Sequence, residues 1–117
     1  MTRVLIGGFG PIVAIGLRDL LKEGGYEVAE EVGIELVDHI ASEPPEVVLI
    51  NLDAGGDTLA RDISSRFPEI KVVAFSSQRP TMRVFPPHHW GESYGSPLTV
   101  NRLMAAITTV DNQKRGM

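Results

Sequence analysis

The residues able to do chemistry gather at a few places in the chain. Asn51, Asp53 and Asp57 follow the apolar run Val47-Val48-Leu49-Ile50. Gly7-Gly8-Phe9-Gly10 follows Val4-Leu5-Ile6, Ser76 follows Val72-Val73-Ala74-Phe75, and Ser96 stands before Pro97. His88-His89-Trp90 sits in a proline-rich stretch between Phe85 and Tyr94. Carboxylates at the end of a buried strand suit a hard cation or an incoming phosphoryl group. Amides of a glycine loop at a helix start suit an anion. Histidines suit zinc, and aromatics on a loop suit a protein partner.

Each of these has a plainer counterpart. Asp53 reads as a solvated turn acid before Gly55-Gly56 or as a displaced phosphate acceptor, and the turn reading is preferred. Asp57 reads as the N-cap of the following helix. The glycine loop has Val13 where a dinucleotide fingerprint has its third glycine. It is either an anion loop through Gly8 and Gly10 or a tight strand-to-helix turn. Adjacent His88 and His89 point in different directions, and nothing positions His39 as a third ligand, so no metal is expected. Phe85, His88, His89, Trp90 and Tyr94 form either a partner-contact patch or a lid over the core. No nucleophile elbow is present, so no catalytic residue and no cofactor are expected, and the chain reads as a non-enzyme.

Elements must position these groups. Val4-Leu5-Ile6 reads as a strand buried on both faces, Val47 to Leu52 as a buried strand and Ile70 to Phe75 as a further strand. Tyr26 to Glu30 reads as a short edge strand. Ile12, Ile15, Leu17, Leu20 and Leu21 recur at helical spacing after Pro11, and Gly24-Gly25 stop that helix. Ile34, Leu36, Val37 and Ile40 mark a second helix, closed by Pro44-Pro45. Leu59, Ile63 and Phe67 mark a third, closed by Pro68. Thr99 caps a last helix bearing Leu103, Ala106, Ile107 and Val110. In the irregular stretch from Ser77 to Gly95 the paired prolines forbid a regular helix through Val84 to His88, so a loop or single turn is expected there, then a fifth strand near Glu92 to Gly95.

The chain has 117 residues, which fits one domain over 1–117, with a core over 3–110 and a polar tail over 111–117. Cysteine is absent, which removes disulfides and thiolate chemistry and suits a cytoplasmic setting. A net charge of −4 argues against direct nucleic-acid binding, which needs clustered cations; Lys114-Arg115 is the only such cluster. No apolar run approaches the ~20 residues that span a bilayer, and the N-terminal run before Gly7 is too short for a signal peptide.

In their order and spacing, these motifs resemble a response-regulator receiver domain over residues 3 to about 110. Gly10 to Leu21 is similar to the first helix of receivers joined to LuxR-type DNA-binding segments. Pro45 to Gly56 resembles the strand and loop of the phosphoacceptor, Val72 to Ser76 the strand of the switch hydroxyl, and Ser96-Pro97-Leu98 the Lys-Pro turn. The resemblance implies an α/β flavodoxin-like three-layer sandwich, with a five-stranded parallel sheet in order 2-1-3-4-5 and the fourth helix short or missing. Carried over by position, it places Gly7 and Gly8 at the metal-binding acids, Asn51 at the nucleophile, Ser76 at the switch and Ser96 at the lysine. Asp53 is then the nearest acid to a degenerate pocket. The expected activity is that of a pseudo-receiver: two-component signalling through protein contacts without aspartyl phosphorylation. The expected partner is another protein or a second copy, met through the final helix and fifth strand. The alternative is a sensor of a small anion or nucleotide-like ligand at Gly8, Gly10, Asn51 and Ser76.

Overall fold

A computed structural model describes residues 3–31, 35–76, 78–88 and 92–108. The elements among them run β1 (Arg3–Gly7), α1 (Pro11–Glu23), β2 (Glu27–Glu31), α2 (Glu35–Ser42), β3 (Val47–Asn51), α3 (Gly56–Arg66), β4 (Lys71–Phe75), β5 (Thr81–Phe85), β6 (Tyr94–Pro97) and α4 (Val100–Thr108). A single 3-10 turn, Leu52–Ala54, joins β3 to α3. The sheet order is β2-β1-β3-β4-β5-β6. Leu17 and Leu21 of α1 and Leu103 and Ile107 of α4 pack with Val4, Ile6, Val47, Leu49 and Val73 on one face. Ile40 of α2 and Ile63 of α3 pack with Leu5, Val48, Ile50 and Val72 on the other. The fold is therefore α/β in three layers, and strands clad on both faces are apolar at nearly every position.

The expected five-stranded parallel sheet is replaced by a mixed sheet of six strands. β1, β2, β3 and β4 are parallel neighbours, but β5 runs antiparallel to β4 and β6 antiparallel to β5. The segment expected to form a loop or turn is β5. Its exposed Thr81 and Arg83 alternate with buried Met82 and Val84, which is the period of a strand with one solvated face. The two reversals give β6 the direction of the parallel strands. It is the expected fifth strand, moved one place outward and lying at Tyr94–Pro97. β2 is an edge strand, as its composition suggested.

Two local expectations are corrected. In α1 the buried positions are Ala14, Leu17 and Leu21, while Ile12 and Ile15 are 85% and 56% exposed. Leu17 and Leu21 face the core as expected, while Ile12 and Ile15 do not and Ala14 takes the buried place in the first turns. At the start of α3 the N-cap is Gly55 at φ 73°, with no side-chain cap, so Asp57 lies within the first turn. Thr99 does cap α4, with the Arg102 amide donating to its Oγ1 at 3.1 Å. The segment 111–117, Ile34 and Val110 lie outside the described residues.

One core residue is charged. Lys71 opens β4 with its side chain wholly buried, and Nζ donates to the Ala106 carbonyl in α4. Desolvation pulls its pKa down from 10.5 to about 8.

Candidate functional site

The carboxyl ends of β1 and β3 lie side by side, while α1 and α3 leave them for opposite faces of the sheet. That divergence is where open α/β sheets make a crevice. Here the crevice is filled from within. Gly8, at φ 83°, turns the chain so that Phe9 packs on Phe75 with ring centroids 4.8 Å apart. Asn51 Nδ2 donates to the Gly8 carbonyl at 3.1 Å, and Asn51 Oδ1 accepts from the Asp53 amide at 2.9 Å. Both ends of the Asn51 amide are thereby engaged. The Gly8 carbonyl meets an amide donor, so at this point the loop offers an acceptor and not the donors an anion needs.

The hydrogen bonds continue across the sheet. Ser76 Oγ donates to Asp53 Oδ1 at 2.5 Å, and the Gln78 amide donates to Ser76 Oγ at 2.9 Å. A chain of contacts thus runs from the β1 loop through the β3 loop to the β4–β5 turn. Gly56 makes room for it: a Cβ there would lie 1.9 Å from the Asn51 carbonyl oxygen. Only glycine lets α3 begin so close to the end of β3.

Beyond this closed crevice the sheet opens into a cleft of about 1010 Å³ at the carboxyl ends of β3, β4 and β6. Asp53 and Asp57 line its β3 side, Gln78, Arg79, Thr81 and Arg83 come from the turn and β5, and Ser96 comes from β6. Arg83 Nε lies 3.9 Å from Asp57 Oδ1, while Arg83 Nη1 donates to Ser93 Oγ at 3.1 Å. Arg61 Nη2 approaches Asp57 Oδ2 at 3.5 Å. Asp57 Oδ1 is shut off from solvent and accepts no hydrogen bond among the described residues. Arg79 is exposed and has no ion pair among the described residues.

The structure therefore joins Gly8, Asn51, Asp53 and Ser76 and brings Ser96 to the same cleft as Asp53 and Ser76. Gly7 is a buried member of β1, opposite Ile50 in the ladder, and Gly10 is the N-cap of α1. Neither Gly8, Gly10 nor Asn51 lines the cleft, so the ligand position expected there keeps only Ser76. The expected aromatic patch does not assemble among the described residues. Phe85 is fully buried beneath α3, while Tyr94 stands on β6, 48% exposed. His88, at φ 66°, donates its amide to the Pro68 carbonyl and lines a separate cleft with Pro45, Glu46 and Glu69. His89 and Trp90 lie outside the described residues. Among the described residues, no group of three or more His, Asp or Glu is placed to hold a metal, and no helix is long and apolar enough to cross a membrane.

Sequence reasoning missed Arg79, Arg83, Thr81 and Gln78. The signal that could have found them is the alternation of Thr81 to Val84, which makes a strand and turns Arg83 to the open side. No protein-family model and no curated protein matches this chain.

Proposed function

We propose that this chain is a non-enzymatic signalling module of the degenerate receiver kind, passing its state through protein contacts without phosphorylation of an aspartate. The observation that carries this reading is the run of hydrogen bonds Gly8–Asn51–Asp53–Ser76. In the resemblance, Gly8 stands at a metal acid, Asn51 at the nucleophile and Ser76 at the switch hydroxyl, with Asp53 the nearest acid to the pocket. Asn51 is neutral and forms no acyl phosphate. Asp53 holds the switch-position hydroxyl directly, so the β4 loop is drawn toward β3 by a carboxylate of the chain itself. The parallel part of the sheet, with helices on both faces, is read as the flavodoxin-like part of the fold.

The contact face in this reading is α4 with the outer strand β6, where Tyr94 and Val100 are 48% and 59% exposed. The occupant is a second copy of the chain or a protein partner, and the setting is the cytoplasm. Sedimentation velocity on the wild-type chain and on Tyr94→Ser with Val100→Ser tests the face. Concentration-dependent dimer formation that the double variant abolishes supports it, and self-association that survives the substitutions removes it. Incubation with acetyl phosphate and Mg²⁺, followed by intact mass, tests the chemistry. The mass is expected to stay unchanged; a phosphate adduct lost in Asp53→Ala would overturn the reading.

A further inference from the structure

The geometry points to a binding site for a small phosphate monoester in the cleft between the β4–β5 turn and β6, with Arg79 as its principal cation. This goes beyond the signalling reading by naming an input, and its cations, Arg79 and Arg83, take no part in that reading. The cleft lies at the carboxyl ends of β3, β4 and β6 and measures about 1010 Å³, roughly the upper end of the ~300–1,000 Å³ that small-molecule sites occupy.

Its two sides differ in chemistry. The β5 side offers donors: the Arg79 and Arg83 guanidinium groups, the Thr81 hydroxyl and the Gln78 side-chain amide. A phosphate group presents three oxygens that such donors satisfy, and guanidinium groups bind it by paired N–H bonds. Arg79 has no competing ion pair among the described residues, and Arg83 is held to Asp57 only loosely, at 3.9 Å. In a chain of net charge −4, these guanidinium groups make one side of the cleft a cationic spot.

The β3 side carries Asp53 and Asp57. These carboxylates accept hydroxyls of a ligand and repel a second phosphate, so the site selects a monophosphate bearing hydroxyls over a polyphosphate. An anion seated at Arg79 also acts on Asp53 across the cleft. It disfavours the Asp53 carboxylate where Ser76 now holds it, and Ser76 in turn holds the Gln78 amide. Occupancy is therefore reported by the β4–β5 turn.

Isothermal titration calorimetry at constant ionic strength, with ribose 5-phosphate, ribose and pyrophosphate, is the test. Ribose 5-phosphate is expected to bind saturably, ribose not at all, and pyrophosphate more weakly. Arg79→Gln is expected to weaken ribose 5-phosphate binding by about tenfold or more, with its melting temperature unchanged because the side chain is exposed. Thr81→Val, which leaves every charge in place, is expected to weaken it less. The Gln78 amide resonance should move on saturation in the wild type. No saturable binding of ribose 5-phosphate, or equal affinity in wild type and Arg79→Gln, overturns the proposal. The two readings fail separately. An adduct on Asp53 removes the signalling mechanism and leaves this site, whereas absent binding removes the site and leaves the mechanism.

Discussion

The two halves of the sheet solve the same problem in opposite ways. The parallel half, β2-β1-β3-β4, ends in a crevice that the chain fills itself with Phe9, Asn51 and Asp53. The antiparallel half, β5-β6, borders an open cleft, shared with the ends of β3 and β4, to which it contributes the exposed side chains of Thr81 and Arg83. The difference comes from burial. β3 is buried along Val47 to Ile50, while β5 exposes Thr81 and Arg83 and β6 exposes most of its residues. A half that is packed on both faces has little freedom to reshape its rim. A half with a solvated face can carry variable chemistry on it.

The largest expected effect lies where the parallel half closes. Gly56→Ala places a Cβ 1.9 Å from a backbone oxygen that cannot step aside, and should cost about 3 kcal/mol or more. Gly16→Ala is the control. Its Cβ meets nothing within 4 Å in the middle of α1, so better helix propensity should add about 1 kcal/mol. Urea unfolding measures both, and a tolerated Gly56→Ala would show that the crevice is less tightly closed than its geometry implies.

Lys71 gives the next effect, and its sign is fixed by linkage. Its folded pKa, about 8, lies below the value of 10.5 for the open chain. Between these values the unfolded state binds more protons, so stability rises with pH through that window. The full rise is on the order of 3 kcal/mol for a shift of this size. Below pH 8 the buried ammonium is charged in both states, and its desolvation is an undiminished cost. Lys71→Met should lack the rise, so unfolding of the two proteins between pH 7.5 and 10.5 isolates it. Parallel profiles would mean that the Lys71 ammonium is solvated and its contact with Ala106 is not the determinant.

Much of the parallel half was legible. Val4 to Ile6, Val47 to Ile50 and Val72 to Phe75 are apolar without interruption because strands covered on both faces need no polar period. Pro68 and Thr99 fixed helix ends by local rules that tertiary contacts did not override. The antiparallel half was not legible for reasons of range. Prolines at 80, 86 and 87 bracket β5 and mask a clear alternation, and its pairing with β4 and β6 is set by long-range contacts. The first half of the α1 stripe failed because Ile12 and Ile15 look like core residues until the neighbouring surface is known. The burial of Lys71 drew no attention in the sequence because a charged residue at a strand start is ordinarily solvated. At the site, Asn51, Asp53 and Ser76 were found because they end strands, whereas Arg79 and Arg83 depended on a strand the prolines concealed.

The Asn51 link separates a closed crevice from a merely crowded one. Asn51→Ala removes a donor to Gly8 and an acceptor for Asp53, and at about 1 kcal/mol for each bond should cost roughly 2 kcal/mol. Hydrogen exchange should quicken at the Asp53 amide first and at Gln78 next, following the chain of contacts. Loss of stability without that order of exchange would mean that the contacts act independently.

The smallest effect is the most direct comparison of the halves, because one pair of near-isosteric residues is exchanged in each. Val48 is fully buried in β3, between α2 and α3 side chains. Val48→Thr introduces a hydroxyl there and should cost about 1–3 kcal/mol. Thr81 is exposed on β5, and both residue types suit a strand. Thr81→Val should therefore change stability by no more than about 0.5 kcal/mol. If chemical unfolding gave Thr81→Val a cost near that of Val48→Thr, the open face of β5 would be a packed one, and the contrast between the halves would fail at its root.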